Sequence, residues 1–104
     1  MPVARLTLEL EIPRAHSLKD RRQVMRSMKD KLRHAFNLSI VELDSGAVWN
    51  RGTLGIAVIS ASTSYLTGQL EEIDRAAHRM AANLSAQILD SYAEVLADGS
   101  AADE

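Results

Sequence analysis

Residues 86–96 read Ala86-Gln87-Ile88-Leu89-Asp90-Ser91-Tyr92-Ala93-Glu94-Val95-Leu96, and the period assigned to them decides the fold. They could prolong a preceding helix. They also alternate: Ile88, Asp90, Tyr92, Glu94 and Leu96 fall on one side, and Gln87, Leu89, Ser91, Ala93 and Val95 on the other. A period of two marks a strand, and we read one here. Working back from it, Leu66, Leu70, Ile73, Ala77, Met80 and Leu84 form a helical stripe behind several capping candidates in residues 61–64. Residues 53–60 are the most apolar strand and belong at the sheet centre. Residues 44–52 form a turn region, and residues 38–43 form a shorter strand before it.

The first third of the chain gives a strand and a helix. Residues 3–12 alternate, with Ala4, Leu6, Leu8, Leu10 and Ile12 on one side and Val3, Arg5, Thr7, Glu9 and Glu11 on the other. Pro13, which cannot donate to a ladder, ends that strand. Ser17 has the place of a helix N-cap, and Asp20 completes a capping-box pattern. From there to about Phe36 a helix carries Leu18, Met25, Met28, Leu32 and Ala35 on one stripe, widened by Val24 and Phe36. The order β-α-β-β-α-β, with right-handed crossovers, predicts an α+β ferredoxin-like sandwich. It is a four-stranded antiparallel sheet with strands one and three central and both helices on one face. Residues 1–97 make the single domain, and residues 98–104 (DGSAADE) read as a disordered acidic tail.

Composition narrows the function classes. A chain of 104 residues that is 46% hydrophobic can bury a core without staples. It has no cysteine, which removes disulfides, thiolate catalysis and cysteine-bound zinc. Arg5, Glu9 and Glu11 interrupt the N-terminal stretch, so no signal peptide is read there. No apolar run approaches the length of a membrane span, and no membrane partner is expected.

Charge is the strongest functional signal. The net charge of −2 hides a separation: residues 14–36 carry +6 and the remaining 81 residues carry −8. Lys19, Arg22, Arg26, Lys29 and Arg33 are spaced 3, 4, 3 and 4 apart. At about 100° per residue they share an arc of about 80°, beside the apolar stripe, over about 21 Å of axis. A rod of cations with none of its own acids suits a phosphate backbone. The competing reading is a solvated face whose cations reach around the core.

Arg21 falls inside the apolar arc. Buried, it needs a partner such as Glu42 or Asp44; the favoured expectation is that it reaches past the helix end to solvent. Trp49 and Arg51 lie together in the turn region, where they can stack on and grip a base. Trp49 can equally serve as a lid on the core or as an oligomer contact. His16, His34 and His78 share no ligand spacing, so neither metal nor cofactor is expected. No serine has an evident histidine partner, and no small-molecule substrate is indicated. The sheet face away from the helices would show Arg5, Thr7, Glu9, Glu11, Gly55, Ala57 and Ile59. It lacks the aromatics of an RNA-recognition motif and suits cover by a second subunit, so a homodimer is expected.

These residues resemble a known family. Ser17-Leu18-Lys19-Asp20-Arg21-Arg22 is similar to the SLK-(D/E)-(K/R)-R box of the YlxP-like bacterial proteins, a family of unknown function. Phe36-Asn37-Leu38-Ser39 with Glu42-Leu43-Asp44 resembles its FNVS…AE-(V/L)-D segment, with Val41 in place of alanine. Trp49, Arg51 and Leu54-Gly55-Ile56-Ala57-Val58 resemble its W-x-R…LG-x-A-x-V stretch. The likeness covers about residues 3–96. It implies a ferredoxin-like fold in a cytoplasmic bacterial protein. The family's gene neighbourhood and its likeness to ribosome-binding factors imply an RNA or ribosome partner. The expected function is therefore a non-enzymatic accessory factor binding structured RNA or a ribosomal particle through Lys19, Arg22, Arg26, Lys29 and Arg33, with Trp49 and Arg51 as further contacts. The alternative is a protein-interaction module, an oligomer whose basic helix docks an acidic protein.

Overall fold

The computed structural model describes residues 1–43 and 48–96; the candidate Asp44, part of the turn region and the expected tail lie outside them. Strand β1 spans Val3–Glu11, helix α1 Leu18–Ala35, strand β2 Ser39–Glu42, strand β3 Arg51–Ile59, helix α2 Thr63–Asn83 and strand β4 Gln87–Leu96. The four strands form one antiparallel sheet in the order β2-β3-β1-β4. This is the expected ferredoxin-like arrangement, with β1 and β3 central.

The alternation of β1 sets the layers. Ala4, Leu6, Leu8 and Leu10 point to the helices and are buried. They meet Leu54, Ile56 and Val58 of β3, Met25, Met28 and Leu32 of α1, and Leu66, Leu70, Ile73 and Ala77 of α2. Met28 is fully buried at the centre of the α1 stripe. Met28→Ala should lower the unfolding free energy by about 2–5 kcal/mol, the cost of lost transfer energy and of the cavity left behind. Urea denaturation reads this directly, and a loss near zero would mean that the site collapses around the truncation.

Two members of the expected α1 stripe are not core. Leu18 is 47% exposed, because it stands at the first helical position and Arg21, one turn on, fills the space against the sheet. Ala35 is exposed at the last helical position. The N-cap forms as expected at Ser17, whose hydroxyl accepts from the Asp20 amide at 3.2 Å. The reciprocal bond shifts by one residue: Asp20 accepts from the amide of His16, not of Ser17. Helix α2 starts at an N-cap serine, Ser62. It ends with Ser85 in the left-handed region at φ 58°. The Ser85 amide donates to Ala82 and the Ala86 amide to Ala81, the bond pair of a Schellman stop.

The parity read for residues 86–96 holds only in part. Glu9 pairs with Asp90, but Leu10 pairs with Ile88, so Leu89 is an extra residue in the ladder. This β-bulge turns Ile88 to the core side, while Asp90, Tyr92 and Glu94 keep the open face.

Candidate functional site

The basic stripe lies on the flank of α1 that borders β2. Lys19, Arg22, Arg26 and Arg33 are exposed and Lys29 is half-buried. The side is fixed by Arg33, whose Nη2 donates to the Ile40 carbonyl of β2 at 3.4 Å. Its Nη1 also meets Asp30 at 3.4 Å, an exposed pair of small energetic weight. The other stripe cations make no ion pair among the described residues. Three long side chains, Lys19, Arg22 and Arg26, thus present uncompensated charge to solvent along the N-terminal half of the helix.

Arg21 does not reach solvent. It is 4% exposed and is the only buried charged residue among the described residues. Its Nη1 pairs with Glu42 of β2, and its Nε donates to the Arg51 carbonyl at 2.7 Å. Its angular position had pointed inward; Glu42, with a side chain 25% exposed, supplies the partner that makes burial tolerable. The guanidinium therefore ties the first turn of α1 to β2 and to the start of β3. Gly52 is part of this join. A Cβ there would lie 2.5 Å from the end of Met25 and 3.4 Å from Arg21 Nη2, so a larger residue would require the end of Met25 to move.

Trp49 and Arg51 are both exposed. Trp49 is 51% exposed in the turn entering β3 and does not seal the core. Strand β3 begins two residues earlier than its apolar run, so Arg51 is its first residue. Strand parity sends the Arg51 side chain to the open face, across from Glu11, while its backbone carbonyl holds Arg21 on the helix side. The sheet therefore separates the Arg51 guanidinium from the stripe.

The open face carries the other organised surface. Val41, Leu43, Ile59 and Tyr92 are exposed there, around a depression of about 300 Å³ floored by Gly55 and Ala57 and edged by Arg5 and Thr7. Arg5 pairs with Glu94 across the β1–β4 ladder. That hydrogen bond, and then the charge of Glu94, hold the guanidinium above its ordinary pKa. A more open groove between the end of α1 and α2 mixes Glu71, Glu72 and Arg75, which suits a polyanion poorly. Among the described residues no group of three His, Asp or Glu could hold a metal ion. No helix among them is long and apolar enough to cross a membrane.

The family described as protein of unknown function (DUF503) matches residues 3–93, which hold the α1 stripe, the Arg21 join and the open face alike. The chain belongs to the DUF503 family. The uncharacterized protein YlxP of Bacillus subtilis strain 168 is 32% identical to this DUF503 chain over 59 residues, 57% of this chain and 64% of that protein. The match thus spans less than two thirds of that relative's length. Two solved structures share the fold. A dimeric ferredoxin-like protein of unknown function from Thermobifida fusca is 18% identical, with 93% of this chain and 91% of that one covered and a TM-score of 0.50. The Bacillus subtilis YXEP protein, a dinuclear metal-binding peptidase of the M20 family, is 14% identical, with 91% of the DUF503 chain but 25% of that chain covered and a TM-score of 0.61.

Proposed function

We propose that this DUF503 protein is a non-enzymatic, cytoplasmic accessory factor that binds structured RNA or a ribosomal particle along α1. One observation carries the reading: Lys19, Arg22 and Arg26 stand exposed on one arc with no acid among them, continued by Lys29 and Arg33. Phosphates neutralised by such a row release counterions, so affinity should fall steeply with salt. The acidic remainder of the chain repels nucleic acid elsewhere and orients the encounter. Trp49 is exposed and available to stack on an unpaired base. Arg51, on the far face, serves only an RNA that wraps around the molecule. Arg21 is committed to the fold and is assigned no chemistry.

The test is affinity for a structured RNA against salt concentration. With three to five phosphate contacts, log affinity should fall with log salt at a slope of roughly −3 to −4.5. Lys29→Gln should weaken binding alike across RNA sequences and reduce that slope by about one. Absence of binding at ~50 mM salt, where electrostatic association is strongest, would overturn the reading and leave the stripe as a docking surface for an acidic protein.

A further inference from the structure

We propose, resting on the RNA reading above, that the RNA is a double helix and that α1 grips it across its minor groove. Proteins that hold single strands line a basic groove with aromatic rings, on which successive bases stack. This chain has four aromatic residues, and none supplies such rings along the stripe. Phe36 and Tyr65 share a groove with Glu71, Glu72 and Arg75, and no stripe residue lines it. Tyr92 is exposed on the open face, where Glu9, Glu11, Asp90 and Glu94 outnumber Arg5 and Arg51 and would repel a strand. Trp49 offers one ring, enough for one unpaired base beside a duplex.

What the stripe does offer is charge in a straight line. Its five cations follow the helix axis in steps of about 4.5 and 6 Å, on the convex surface of an 18-residue helix. The hollow over the sheet takes in none of them. A rigid row of cations gains most from a rigid row of phosphates. A flexible single strand gives up freedom to follow the row, whereas a duplex is already ordered. Charge is also denser along a duplex than along one strand. The major groove of A-form RNA is deep, narrow and closed to reading by side chains; the minor groove is wide and shallow. A helix about 27 Å long can bridge that shallow groove from one bordering phosphate row to the other. Lys19 and Arg22 then meet one strand, and Lys29 and Arg33 the other, with Arg26 between them. Contacts of this kind go to phosphates and carry no sequence information.

Fluorescence anisotropy with three probes tests this: a blunt RNA duplex of about 16 base pairs, a DNA duplex of the same sequence, and the polypyrimidine strand of the RNA duplex alone. The RNA duplex should bind at least about tenfold more tightly than the single strand, which finds no stacking platform. A second RNA duplex of different sequence should match the first within about threefold. The DNA duplex, whose minor groove is narrow, should bind at least about fivefold more weakly than the RNA duplex. Trp49→Ala should keep its affinity for the RNA duplex within about threefold, since loss of a stacked base would cost about tenfold. A single strand or a DNA duplex bound as tightly as the RNA duplex overturns the double-helix proposal and leaves RNA binding standing. So does a tenfold loss in Trp49→Ala. Binding of none of the three probes at ~50 mM salt overturns the RNA reading itself.

Discussion

Reversing Arg22 and Arg26 to glutamate is expected to abolish RNA binding and leave the fold intact. Both side chains are exposed on the interior of α1, and neither makes an ion pair among the described residues. Glutamate is as good a helix former as arginine, so the stability change should stay within about 0.5 kcal/mol. The stripe, by contrast, falls from five positive charges to a net of one, and the two new carboxylates stand where phosphates would lie. A matched control is Arg75→Glu with Arg79→Glu, two exposed arginines of α2. Equal loss in the control pair would mean that overall charge, not the stripe, governs association. Retained affinity in the α1 pair would remove the helix from the interface.

A large stability effect is expected from Glu42→Ala. It takes the Glu42 carboxylate away from the buried Arg21 guanidinium. Removing one member of a buried pair costs about 3–5 kcal/mol. Glu42 is partly open to water and Arg21 keeps the Arg51 carbonyl, so a value near 3 kcal/mol is the expectation. Replacing the charge itself, in Arg21→Met, should cost less, because the carboxylate it strands, Glu42, is partly open to water. Denaturant unfolding of both variants checks the order. If Glu42→Ala is the milder of the two, Arg21 is held by its other contacts and the join does not depend on the ion pair.

The fold was legible because its signals are periodic and local. Alternation in residues 3–12, the stripe of α2 and the Ser17 cap each need only a few neighbouring residues. What escaped depends on partners distant in sequence. Arg21 has the angular address of a core residue and the chemistry of a surface one; the choice is made by Glu42 and by the Arg51 carbonyl, 21 and 30 residues away. Leu89 breaks the parity of β4 against β1, and no pattern within β4 itself announces the extra residue. Arg51 was grouped with Trp49 because the apolar run begins at residue 53. The ladder begins at Arg51, opposite Glu11, and the alternation of β3 places its side chain on the open face. The basic stripe was legible in full, since helical spacing alone places it. Only its side, toward β2, required the structure.

The contact between Arg33 and β2 has a further consequence. Leu43 is hydrogen-bonded to Thr53, and antiparallel alternation therefore turns the amide and carbonyl of Ile40 and Glu42 outward from the sheet. Such an unsatisfied strand margin is a template for stacking one molecule on the next. The Arg33 guanidinium sits on the Ile40 carbonyl and occupies one of the few acceptors that a strand only four residues long exposes. Arg33→Ala, which frees that acceptor, should therefore increase slow turbidity in concentrated solution even where no nucleic acid is present.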